Sequence, residues 1–126
     1  MLRQQYHFRK YEEDVLIWDV NKIITLSKNL EPREIKLDTI KEFDTQYWYE
    51  LGGAKPTCKN VVEHIKLINQ ADLSYPIILC NDGKIFDGMH RVCKAHLLGH
   101  KTILAIQFKE YLAPHYKNID ANDLEY

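Results

Sequence analysis

The sequence predicts an α+β domain, a small mixed sheet flanked by helices. One observation behind this is the apolar run Pro76 to Cys80. It leads through Asn81-Asp82-Gly83-Lys84 into Ile85-Phe86 and reads as a buried strand, a tight turn and a returning strand. A second is the alternation of short apolar runs with segments of helical period near residues 20–30, 59–69 and 89–98. The third is the length: 126 residues suit a single domain whose core needs no disulfide or metal staple.

Taken in order, Asp14 to Trp18 is a short apolar stretch, and Val20, Ile23, Ile24, Ser27 and Leu30 predict a helix from about Val20 to Leu30. Ile35 and Leu37 flank Lys36 in the alternation of a strand, after which Asp38 is placed to cap a short helix containing Ile40 and Phe43. Gly52, Gly53 and Pro56 break the chain into a loop. Thr57 then offers a cap oxygen, and Val61, Val62, Ile65 and Ile68 on one face predict a helix from Lys59 to about Asn69. Beyond the hairpin, a helix from Met89 to Leu98 closes at Gly99, and Thr102 to Phe108 reads as the last strand. From Lys109 the chain is polar, with Asp120, Asp123 and Glu125 near its end, and is expected to be a mobile tail.

Composition narrows the function classes. Lys and Arg number 17 against 18 Asp and Glu, so the chain lacks the basic excess from which DNA-coating proteins draw affinity, and DNA is not an expected partner. No apolar run approaches the roughly 20 residues of a membrane helix, so no membrane partner is expected. The stretch Met1 to Asp14 is polar and aromatic, without the apolar core of a secretory signal, which makes the cytoplasm the expected compartment. Cys58, Cys80 and Cys93 are odd in number and lack CxxC spacing. They fit neither a disulfide framework nor a zinc knuckle, and are expected to be reduced, buried, small apolar residues.

The most informative stretch is Ile85-Phe86-Asp87-Gly88-Met89-His90-Arg91-Val92-Cys93-Lys94-Ala95, where a strand runs through Asp-Gly into the first turn of a helix. Such a junction leaves backbone N–H groups unpaired at the positive end of the helix dipole, and glycine lets a phosphate approach closely. At about 100° per residue, His90, Arg91 and Lys94 share one arc, while Met89, Val92, Cys93 and His96 lie opposite. Arginine supplies a fork matched to phosphate, and histidine can donate or carry a proton near neutrality. The alternative is structural: Asp87 caps, Gly88 relieves strain, and the three cations form a solvated face.

The run from about Ile35 to Phe108 resembles the ParB N-terminal/sulfiredoxin superfamily, through Gly88-Met89-His90-Arg91 followed by Ala95, Gly99 and the apolar strand Ile103 to Ile106. With Ala71-Asp72-Leu73-Ser74-Tyr75-Pro76-Ile77 it also looks like small stand-alone ParB-like bacterial proteins. The resemblance implies a ParB/sulfiredoxin-like fold over residues 35–110, an N-terminal strand and helix extension over 1–34, and a tail over 111–126. It further implies that Gly88, His90 and Arg91 contact nucleotide phosphate. Sulfiredoxin has a cysteine before the His-Arg pair; here stands Met89, whose thioether cannot perform thiolate chemistry, so sulfinic acid repair is not expected. No helix-turn-helix domain follows the last strand, so sequence-specific partitioning is not expected either. The free-serine kinase branch, with a loop closer to Asp-Gly-His-His-Arg, is the nearest enzymatic analogy.

These observations give a set of expected site residues. Gly88 and the amides after it, including that of Met89, cradle the phosphate; Arg91 and Lys94 offset charge; His90 donates or shuttles a proton. Asp87, or Asp72 before the strand, holds Mg2+ or acts as base, because phosphoryl transfer needs a carboxylate to orient the attacking group and a metal to screen charge. His64 is either a half-buried structural residue or a second histidine aimed at the loop. Of Trp18, Tyr47, Trp48, Tyr49 and Tyr75, all expected mainly in the core, Trp48 is singled out to line a pocket. The expected ligand is ATP, ADP, CTP or another phosphorylated small molecule. The expected activity is a phosphotransferase or nucleotidase. The rivals are a non-catalytic nucleotide-dependent module and, more weakly, nucleic-acid binding or cleavage. A homodimer is open to any of them.

Overall fold

The computed structural model describes residues 4–51 and 53–126. Gly52, named above in the loop, and residues 1–3 of the extension lie outside the described residues. In chain order the elements are β1 (Tyr6–Tyr11), β2 (Asp14–Asp19), α1 (Val20–Ser27), β3 (Arg33–Lys36), α2 (Cys58–Gln70), β4 (Ile77–Leu79), β5 (Ile85–Asp87), α3 (Met89–Leu97), β6 (Thr102–Gln107) and β7 (Tyr116–Lys117). The class is α+β, but the strands form two sheets. One is mixed, in the order β3-β6-β4-β5, and the other is antiparallel, in the order β1-β2-β7.

The mixed sheet explains the apolar run at its centre. β4 runs parallel to β6 and antiparallel to β5, so it is an interior strand, and side-chain alternation sends its residues to two different cores. Ile77 and Leu79 join Ile85, Met89, Val92, Ala95, Ile103 and Ala105 on the α3 side. Ile78 and Cys80 face the other way, onto Trp18, Ile23 and Phe86. A strand covered on both faces carries no polar alternation, which is why the run reads as continuous. The turn after it is closed by Gly83, at φ 83°, with Cys80 accepting from its N–H at 2.9 Å.

Several expected elements change form. α1 stops at Ser27 rather than Leu30, because the chain tightens there: the Lys28 and Leu30 N–H groups donate to Thr25 and Ser27 carbonyls. Asp38 caps no helix; two 3-10 turns, Leu37–Thr39 and Lys41–Asp44, stand in its place, without side-chain caps. Residues beyond Lys109 are not a loose end. β7 pairs with β2, Trp18 Nε1 donates to the Leu112 carbonyl at 2.9 Å, and Asp19 N donates to His115 Nδ1 at 2.9 Å. Cys80 is buried and Cys93 half-buried, whereas Cys58, expected inside, is exposed at the start of α2.

The largest correction concerns α2. Thr57 caps it as expected, its side chain accepting from Asn60 N at 3.1 Å. Yet Val61, Val62 and Ile65 are exposed, and the half-buried residues are Asn60, His64 and Ile68. α2 lies against α3 rather than on the sheet. Its inward stripe is therefore set by polar bonds to α3, not by its own most apolar face. No helix among the described residues is long and apolar enough to cross a membrane.

Candidate active site at the start of α3

The junction between β5 and α3 depends on Gly88. It caps α3 at φ 117°, and a Cβ built there would lie 2.6 Å from Ile77 Cγ2, so both conformation and space require glycine. No side chain caps this helix, and Asp87, the residue placed to do so, turns elsewhere. The amides of Met89, His90 and Arg91 thus form the uncapped first turn. Met89 supplies only its backbone here: its side chain is 5% exposed and packs in the core with Val92 and Ala95, one helical turn apart in succession.

Two of the three expected cations are engaged within the chain. Arg91 Nη1 donates to the carbonyls of Tyr75 at 3.1 Å and Pro76 at 2.6 Å, and its Nη2 pairs with Asp87 Oδ2 at 2.8 Å. Lys94 Nζ donates to the Asn69 and Ala71 carbonyls at 3.1 and 2.6 Å, closing the C-terminal end of α2. Both side chains thereby fasten the connection from α2 to β4 onto α3. Asp72 lies in that connection, where its Oδ1 accepts from the Ser74 hydroxyl and N–H, which hold its carboxyl below the usual range. Tyr75, expected in the core, is exposed.

His90 and His64 are brought together. His64 Nδ1 and His90 Nε2 are 2.8 Å apart, joining α2 to α3. Trp48 stacks on both rings, with centroids 4.0 Å from His64 and 4.8 Å from His90 and interplanar angles of 15° and 18°. Burial, with His64 and Arg91 adding, lowers the His90 imidazole to about 4. Burial lowers His64 as well, opposed by the carboxylate of Glu63. At neutral pH both rings are uncharged, which suits proton exchange between them.

Sequence reading missed the layer beneath Trp48. Tyr47, its chain neighbour, lies with its hydroxyl 3.4 Å from His7 Nδ1, and its ring stacks on that imidazole. Arg9 sits over the rings of Trp18 and Phe86 at 5.0 and 5.2 Å and donates to the Ile85 carbonyl at 3.2 Å. Glu42 accepts from Ile85 N at 2.9 Å, and burial pushes its carboxyl up. Both backbone groups of Ile85, on the edge strand β5, are therefore satisfied by side chains from outside the mixed sheet. The available signal is alternation: His7 and Arg9 are two residues apart in Tyr6-His7-Phe8-Arg9, the period of a strand.

Concavities of about 480 and 350 Å3 lie elsewhere, the first at Asp19 and His115 and the second at Arg33 and Gly83; neither is lined by Gly88, His90 or Arg91. Among the described residues, no group of three or more His, Cys, Asp or Glu side chains is arranged to hold an ion. Asp87 and Asp72 thus form no metal cage of their own. No protein-family profile and no curated protein sequence matches the chain. The likeness is to a ParB-N domain. The solved structure, described as the C2221 form of a Pnob8-like ParB-N domain, is 12% identical with a TM-score of 0.37. The match covers 74% of this chain and 32% of that one, so this chain spans about a third of its length.

Proposed function

We propose that this protein binds the phosphate end of a nucleotide, or of another phosphorylated small molecule, at the turn from Asp87 to Arg91, and that its chemistry is phosphoryl transfer or nucleotide hydrolysis. The observation that carries this reading is the His64–His90 contact at 2.8 Å beside a helix start whose first turn has no side-chain cap. Amides at such a start favour an anion, and a neutral imidazole next to them can give or take a proton. The likeness of Gly88-Met89-His90-Arg91 to the superfamily's phosphate loop supports the same assignment. Arg91 and Lys94 act here as positioning residues, holding the loop Ala71 to Pro76 against α3. Magnesium, in this reading, arrives with the nucleotide phosphates, with Asp87 or Asp72 as the carboxylate that meets it.

A second reading, a nucleotide-dependent module without turnover, is favoured by one observation: the guanidinium and ammonium best suited to offset transition-state charge already bond to carbonyls. Calorimetry with ATP, ADP and CTP, each with magnesium, tests binding. The expected result is heat with at least one nucleotide, and affinity weakened about tenfold or more by His90→Ala. No heat with any of them contradicts the proposal. Phosphate release during the same incubation separates enzyme from switch.

A further inference from the structure

We propose that His90 is a phosphoryl acceptor, its Nδ1 taking the terminal phosphoryl group of a donor docked at the start of α3 and carrying it as a phosphoramidate, with His64 as the positioning residue and proton acceptor. The inference rests on the phosphate-binding reading above, since the donor must dock there.

The ring contact decides which nitrogen can react. His90 Nε2 faces His64 Nδ1 at 2.8 Å, so one nitrogen of each ring is committed to the other. His90 Nδ1 makes no hydrogen bond among the described residues, and it is not one of the buried polar atoms lacking a partner, so it opens to solvent. With the proton on Nε2 and donated to His64, the lone pair of Nδ1 is free. Among the described residues, His64 and His90 are the histidines in ring-to-ring contact. His7 and His96 each bury an Nε2, and His115 uses Nδ1 to accept from Asp19 N. Trp48, stacked over both His64 and His90, fixes their planes 22° apart and offers an aromatic face to a positive ring.

The step balances without an additional reagent. The Nδ1 lone pair forms the N–P bond as the P–O bond to the leaving group breaks, and its electron pair departs with the leaving oxygen, a nucleoside diphosphate when the donor is a triphosphate. Charge that develops on the His90 ring is relieved as the Nε2 proton passes to His64 Nδ1. Burial works against the resulting imidazolium on His64, and the Glu63 carboxylate opposes part of that penalty. The uncapped amides of the first turn of α3 face the charge of the transferred group. His90 stays uncharged and nucleophilic at neutral pH because burial lowers its basicity.

The full chain is incubated with ATP, CTP and acetyl phosphate in turn, each with magnesium, and its intact mass and peptides are measured. The expected result is one phosphoryl group per chain on His90, lost in acid and retained in base, and absent from His90→Gln. His64→Asn is expected to label about a hundredfold more slowly at saturating donor, where any loss of affinity no longer limits the rate. A label on another residue, an acid-stable label, or no label from any of these donors overturns the proposal. Nucleotide heat without a label sinks this inference and leaves the binding reading standing; loss of both sinks both. Long-range nitrogen–proton NMR of the unmodified protein gives an arm free of folding defects. The Nε2-protonated tautomer of His90 is required, and the Nδ1-protonated one excludes the step.

Discussion

At Gly88 the backbone turns at φ 117° with Ile77 packed where a side chain would begin. A Gly88→Ala replacement adds strain at a left-handed position and a contact that the interior strand β4 cannot relieve. Urea unfolding is expected to show a loss of at least about 2 kcal/mol. An unchanged midpoint would mean that the turn is not held as described. The residues of this turn were legible in the sequence because Asp-Gly-Met-His-Arg sits between a strand and a helix. The partners of Arg91 were not, since the carbonyls of Tyr75 and Pro76 belong to an irregular connection that no period describes. His64 was legible only as two alternatives; its spacing places it at the edge of a helical stripe but cannot say that His90 lies across from it.

α2 is an element held by few anchors. None of its residues is fully buried, and its side-chain hydrogen bonds to α3 run through His64 at its middle and through Lys94 of α3 at its C-terminal end. Lys94→Met keeps the aliphatic stem and removes the donor, leaving the Asn69 and Ala71 carbonyls unpaired at the negative end of the helix dipole. Hydrogen exchange is expected to quicken selectively in the last turn of α2, equivalent to about 1 kcal/mol, with α3 unaffected. Equal quickening in both helices would contradict the clamp. Thr57 and the run to Gln70 made the existence of this helix plain in the sequence. Its inward face is not legible there, because apolar periodicity reports which face could be buried, whereas the polar bonds to α3 decide which face is.

Across the whole molecule, the mixed sheet followed from local signals, hairpin and closing strand, while the second sheet did not. It is built from chain ends: β2 pairs with β7 across some hundred residues of sequence, and β7 is a two-residue strand too short to show alternation. Its docking on the mixed sheet buries His7 among Tyr47, Trp18 and Phe86, and this has a pH consequence. Burial, with the Arg9 charge adding, lowers His7 to about 3 from an ordinary 6.5. Below 6.5 the unfolded chain takes up a proton that the native chain refuses, so stability is lost as pH falls from 6.5 toward 3. The slope from this group approaches about 1.4 kcal/mol per pH unit, and His90 adds to it in the same direction until its own lower value is reached. His7→Phe keeps an aromatic ring there and is expected to flatten the curve measured by urea unfolding at a series of pH values; a curve of unchanged slope would remove His7 from the account. Docking of phosphate oxygens on the first turn of α3 is read out residue by residue in an amide NMR titration of the whole chain with ATP and magnesium. The largest shifts are expected on Gly88, Met89, His90 and Arg91, with the Trp48 indole moving alongside. Shifts confined to another face, such as the Asp19 and His115 concavity, or none at all, would contradict it.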